Sequence, residues 1–133
     1  MSVVIDAVRK RARDRSNEEE DGDITITKSD WPLYRIQIKS NNTFPTAAGL
    51  TSSAAGYACL TSALCDLYCV QERYPGEIST IARQGSGSAC RSIYGGLVQW
   101  DMGVAKDGSD SKATQIASEL YWKELESIIL VVN

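Results

Sequence analysis

The sequence predicts one mixed domain of the α+β class. Segments with helical spacing (3–15 and 52–69) stand beside segments that alternate apolar and polar residues (24–27, 34–40 and 97–102). A length of 133 residues suits a single core, and neither an internal repeat nor a domain linker interrupts it.

In order along the chain, Val4, Ile5, Val8 and Ala12 recur at helical spacing, so residues 3–15 read as an amphipathic helix. Its other face carries Arg9, Lys10, Arg11, Arg13 and Arg15, which predicts a solvated basic face answered by the acidic run Glu18-Glu19-Glu20-Asp21. Residues 24–27 and 34–40 read as a half-buried strand pair turning around Asp30, Trp31 and Pro32, with Tyr34, Ile36 and Ile38 on one face. Residues 52–69 are rich in Ala, Leu and Cys and poor in charge, and their length predicts a helix buried on most sides. A turn at Tyr74-Pro75-Gly76 leads to a short helix near 78–83, and the loop at 85–88 opens another, stopped by Gly95-Gly96. Residues 97–102 follow as a strand, and 106–110 form a polar hairpin tip. The apolar run 128–132 has the pattern of an interior strand. Because the chain stops one residue later, and Met1 opens directly on a helix, truncation at both ends is expected.

Apolar residues at 43%, charged residues at 23% and a formal charge of −3 describe an ordinary globular chain with no general attraction to nucleic acid or anionic membranes. No stretch approaches the roughly 18 apolar residues of a membrane span, and no apolar leader follows Met1, so the expected compartment is the cytoplasm. There is no histidine, which removes imidazole bases and most zinc sites. Cys59, Cys65, Cys69 and Cys90 form no Cys-x-x-Cys pair and read as buried free thiols.

Two loops carry the chemistry. In Pro45-Thr46-Ala47-Ala48-Gly49-Leu50-Thr51-Ser52-Ser53-Ala54-Ala55-Gly56, small residues open the long helix. The first amides of a helix lack internal acceptors and sit at the positive end of its dipole, so they suit a phosphate that small side chains let approach. The same residues also suit a serine cap followed by close packing. The Gly-Lys-Ser/Thr ending of a Walker A loop is missing. In Gly85-Ser86-Gly87-Ser88-Ala89-Cys90-Arg91-Ser92, an arginine falls three residues after Ser88, on the same face of a first helical turn. A cation there opposes the dipole and calls for an anion, which the guanidinium fork suits; a structural ion pair or a surface position is the competing explanation.

These residues resemble a known family. The run 45–56 is similar to the phosphate loop of the GHMP kinase superfamily. Its combination with Asn42-Thr43-Phe44, with Gly85–Ser92 and with Tyr94-Gly95-Gly96 resembles the diphosphomevalonate decarboxylase family, over most of residues 34–133. Thr43 intervenes where the family usually reads Asn-Asn-Phe-Pro, and Thr51 stands where it often has alanine or glycine.

The resemblance implies the N-terminal half of a GHMP kinase fold, like domain 2 of ribosomal protein S5. Residues 1–133 would form part of the ATP- and phosphate-binding domain, without the C-terminal domain. It implies an ATP- and Mg²⁺-dependent carbon–carbon lyase of the isoprenoid and sterol route. That enzyme phosphorylates the tertiary hydroxyl of diphosphomevalonate, then releases phosphate and CO₂ to leave isopentenyl diphosphate. By motif position, Ala48, Gly49, Leu50, Thr51, Ser52 and Ser53 would hold ATP phosphates, with Ser52 and Ser53 reaching the metal through them. Ser86, Gly87 and Ser88 would hold the substrate, and Arg91 its carboxylate. The family's active-site lysine and its Asp-Ala-Gly-Pro-Asn-like loop have no counterpart here, and Asp66 and Asp101 do not match the catalytic position. The full-length enzyme would therefore be active, as a homodimer, and this piece alone inactive. Another GHMP kinase and a non-catalytic phosphate-binding module are the remaining alternatives.

Overall fold

The computed structural model describes residues 2–17, 24–46, 49–126, 128 and 130. The chain forms α1 (Ser2–Arg9), β1 (Arg15–Asn17), β2 (Ile24–Ile26), a 3₁₀ turn (Trp31–Leu33), α2 (Ser52–Leu67), α3 (Glu77–Gly85), α4 (Ala89–Ser92), β3 (Leu97–Asp101) and β4 (Lys112–Ala117). Helices packed together with small sheets make this an α+β arrangement. No helix among the described residues is long and apolar enough to cross a membrane.

The core sits where α1, α2 and α3 meet. Val4 and Val8 of α1, Ala12, Leu64 and Cys65 of α2, Tyr68, Ile81 of α3 and Trp31 are all buried there. Trp31 meets the edge of Tyr68 at 4.7 Å between centroids and 72° between planes. Its indole N–H donates to the Arg13 carbonyl at 2.8 Å, which satisfies the one polar atom the ring buries. Trp31 thus stands in the turn the sequence pattern suggested and also serves as a core residue.

Three expectations change here. The first helix stops at Arg9 instead of Arg15. Beyond it the Arg13 amide donates to the Tyr68 carbonyl at 2.9 Å, so the chain leaves the helix axis to close the end of α2. Arg15 then begins β1, which pairs antiparallel with β2 in the register Arg15↔Ile26, Ser16↔Thr25 and Asn17↔Ile24. Residues 34–40 join no ladder among the described residues. Their alternation reports sidedness alone: Ile36 packs against the core while Tyr34 and Ile38 stay half exposed. The basic residues of the first segment are engaged by the protein as well: Arg9 Nε donates to the Tyr68 hydroxyl at 2.7 Å and Arg11 Nε to Glu77 Oε1 at 2.7 Å. The acidic run 18–21 lies outside the described residues.

Helix α2 matches its predicted span within two residues but is not enclosed. Ala54, Ala58, Thr61, Leu64 and Cys65 face inward, while Cys59, Ser62 and Ala63 are exposed. Of the four thiols, Cys65 and Cys90 are buried, Cys69 is partly so and Cys59 is exposed. Burial, with Asp66 and Glu72 nearby, pushes the Cys65 thiol up to about 11, so it stays protonated and inert.

Strands β3 and β4 form an antiparallel hairpin with Trp100 opposite Ala113 and a bulge at Leu97/Val98. The tip is closed by Asp110, whose carboxylate accepts the Val104 amide at 2.8 Å and the Ala105 amide at 3.1 Å. The hairpin is tied to α3 by the Ala113 amide, which donates to Ser79 Oγ at 3.0 Å. Of the terminal apolar run, Ile128 and Leu130 are exposed, and 129 and 131–132 lie outside the described residues.

Candidate functional site

The two small-residue loops converge because the end of α3 is brought back against the first turns of α2. The closeness of that return depends on Gly85, the last residue of α3 and not a loop residue. A Cβ there would stand 2.1 Å from Cδ1 of Tyr57 on α2. With no side chain at 85 the helices close up, and the hydroxyls of Ser53 and Ser86 come within 3.4 Å of each other, a long hydrogen bond joining the loops.

The first loop turns sharply before α2. Gly49 has φ +74° and Thr51, the residue preceding the helix, has φ +57°. Among the described residues no atom lies within 4 Å of where a Gly49 Cβ would be, so the turn is open toward them on that side. Ala54 and Ala55 both donate to the Thr51 carbonyl, at 3.0 and 3.2 Å. The amides ahead of them therefore have no intrahelical acceptor, and Ser52 and the exposed Ser53 add hydroxyls at the same end. Leu50 is partly buried, and Ala48 lies outside the described residues.

The second loop is a tighter structure than its sequence suggested. The Ala89 amide donates to the Ser86 carbonyl at 2.9 Å and the Arg91 amide to the Ser88 carbonyl at 3.1 Å, so these donors are used internally. Helix α4 is only Ala89–Ser92, too short to build a sizeable dipole. Cys90 is fully buried and donates its thiol to the Gly87 carbonyl at 3.1 Å. Burial holds its pKa above the ordinary thiol range, which makes it a brace and not a nucleophile. What the loop presents is side chains: Ser86 and Ser88, each partly exposed, and an exposed Arg91.

Arg91 has no carboxylate partner among the described residues; its guanidinium carbon lies 5.5 Å from the centroid of the Trp100 ring instead. The competing explanation, a structural ion pair, finds no carboxylate among the described residues, so among them the guanidinium fork stays available to an anion. Trp100 was not among the residues the sequence singled out, since in the pattern it was one more member of an alternating strand.

A cavity of about 400 Å³ runs along α2 from Ser53 at its start to Ala63, with residues 38–44 lining it opposite. The stretch Asn41-Asn42-Thr43-Phe44 thus faces the first loop's serine across a hollow of ligand size.

A polyphosphate fits the first loop on three grounds: an open turn, unclaimed helix amides and hydroxyl donors at the helix mouth. A divalent cation fits only together with it. Among the described residues no cluster of three or more Cys, Asp or Glu is placed to hold a metal ion, so phosphate oxygens and a serine hydroxyl would be the ligands on offer. Asp66 lies at the far end of α2 from Ser52, roughly 20 Å away at 1.5 Å per residue, and Asp101 accepts from Gln99 Nε2 at 2.6 Å on the hairpin.

Residues 1–113 match the profile of the diphosphomevalonate decarboxylase-like N-terminal domain. The chain is 62% identical over 99 residues to a diphosphomevalonate decarboxylase of Danio rerio, covering 74% of this chain and 24% of that protein. It is 48% identical over 126 residues to the Homo sapiens protein of the same name, covering 95% and 30%. A solved structure of mevalonate 5-diphosphate decarboxylase superposes on 62% of this chain and 21% of its own, at 59% identity and a TM-score of 0.58. The chain thus spans less than a third of the length of these curated relatives, 24% and 30% for the two.

Proposed function

This chain belongs to the diphosphomevalonate decarboxylase-like N-terminal domain family, and on that premise we propose that it supplies the phosphate-handling part of an ATP-dependent decarboxylase. The reaction is phosphorylation of the tertiary hydroxyl of diphosphomevalonate, followed by loss of phosphate and CO₂ to leave isopentenyl diphosphate. The observation that carries this reading is the meeting of two loops, Ser53 against Ser86, beside an arginine without a carboxylate partner among the described residues.

The division of labour follows from the donors each loop has left. The turn at Gly49, Leu50 and Thr51 and the start of α2, with Ser52 and Ser53, would bind the phosphates of ATP, joined by Ala48 on its motif position alone. Mg²⁺, when bound there through those phosphates and a serine hydroxyl, supplies charge neutralisation for the transferring phosphoryl group. Ser86 and Ser88 would hold the substrate by hydroxyl hydrogen bonds, and Gly87 lets it lie close to the backbone. Arg91 would grip the carboxylate, keeping it in place while the neighbouring C–O bond breaks and CO₂ departs. Holding reactants in line and stabilising developing charge is most of what phosphoryl transfer demands of a protein. A homodimeric, cytoplasmic enzyme of isoprenoid and sterol synthesis is the setting the family membership supports.

Arg91→Ala in the native protein that contains this chain tests the assignment. Turnover should fall by about 10²–10³-fold, the range seen when one transition-state donor is removed. Activity within a few-fold of the unsubstituted protein would remove Arg91 from the site.

A further inference from the structure

Resting on the reading above, in which Arg91 holds the substrate carboxylate, we infer that Trp100 is the positioning residue for Arg91 and that Ser111 fixes Trp100. The Arg91 guanidinium stands over the indole face at 5.5 Å, inside the range where a cation is attracted by the ring quadrupole. The indole is itself oriented. Its N–H donates to Ser111 Oγ at 3.0 Å, and the Ser111 hydroxyl donates to the Asp101 carbonyl at 2.9 Å. Ser111 is only 4% exposed, so the acceptor of the indole N–H is itself held in the interior while the Trp100 ring remains partly exposed. The far edge of the same ring lies 3.4 Å from where a Cβ on Gly87 would be, so one side chain supports both the loop's glycine and its arginine.

A long arginine side chain on a four-residue helix is otherwise free to sweep over many rotamers. Attraction to the face of an oriented ring restricts it and places no carboxylate on its N–H donors, which stay available for an anion. A carboxylate would restrict it too, but would occupy those donors. Trp100 thus does what an ion pair at this position would prevent.

The experiment compares Trp100→Leu, Trp100→Phe, Arg91→Ala and the combination Trp100→Leu/Arg91→Ala in the native protein containing this chain, reading kcat/KM for CO₂ release. Trp100→Leu should lower kcat/KM by about two- to fivefold, the range of an exposed cation–π contact, and Trp100→Phe should recover most of it. On the Arg91→Ala background Trp100→Leu should cost nothing further. Equal losses on both backgrounds, no loss at all, or a Phe variant no better than Leu would each overturn the inference. Should Trp100→Leu not fold, Ser111→Ala takes its place, with a smaller loss that likewise vanishes on the Arg91→Ala background. A separate readout distinguishes failure of the site reading: the Trp100 indole N–H resonance, assigned by its loss in Trp100→Phe, should shift in both Arg91→Ala and Ser111→Ala. If that shift occurs while Arg91→Ala turns over normally, the contact stands and the substrate role of Arg91 is what fails. An unmoved resonance in Arg91→Ala overturns the contact itself.

Discussion

Glu77, 1% exposed, is the most deeply buried charge among the described residues, and its neighbours show how the fold tolerates it. Arg11 Nε reaches it at 2.7 Å from beyond α1, and Arg73 supplies its side chain and its amide, the latter at 2.8 Å. Burial by itself would raise the carboxyl pKa; the hydrogen bonds from Arg73 and Arg11 outweigh it and hold the group at about 2, below its ordinary 4.5. A depressed folded-state pKa adds stability that is complete above about 4.5 and is lost as pH falls toward 2. Urea denaturation of this chain should therefore show stability declining across that window, and Glu77→Gln should both lower stability at neutral pH and flatten the acid limb. An unchanged acid limb would mean the cluster is not formed. Gly85 gives a second expectation at this scale: Gly85→Ala should destabilise by about 1–3 kcal/mol through its clash with Tyr57. Trimming the ring in Gly85→Ala/Tyr57→Leu should return part of that loss, as thermal melts would show. Neither partnership was legible in the sequence, because the arginines that meet Glu77 sit 66 and 4 positions away and only the fold brings the first one near.

At the scale of elements, the sequence pattern was reliable where burial and local propensity agree. Residues 52–67 are long, poor in charge and rich in good helix formers, and they form α2; the polar turn 106–110 closes the β3–β4 hairpin as expected. It misled where a contact from elsewhere decided the outcome. Residues 10–14 favour helix, yet the Arg13 amide is claimed by the Tyr68 carbonyl and the helix ends first. Alternation at 34–40 gave the side each residue faces, but a strand also needs a neighbour to pair with. The start of α2 holds a strained position, since a β-branched Thr51 takes φ +57°. Thr51→Gly should relieve this and raise the melting temperature, with a gain of about 1 kcal/mol. A fall in stability would show that the threonine makes contacts worth more than the strain.

At the scale of the whole molecule, the candidate site was legible in its parts and not in its assembly. The glycine- and serine-rich loops stood out in the sequence; that they touch through Ser53 and Ser86, and that Trp100 lies under Arg91, required the packing of α2, α3 and the hairpin. The fold class and family follow from the matched residues 1–113, while the chemistry proposed belongs to the longer protein in which such a domain works. The most direct measurement incubates the native protein containing this chain with ATP, Mg²⁺ and carboxyl-labelled diphosphomevalonate, following ADP and labelled CO₂ together. The account predicts one CO₂ released for each ADP formed. ADP without CO₂ would mark a kinase of the same superfamily, and binding of ATP with neither product would leave a phosphate-binding module in place of the decarboxylase.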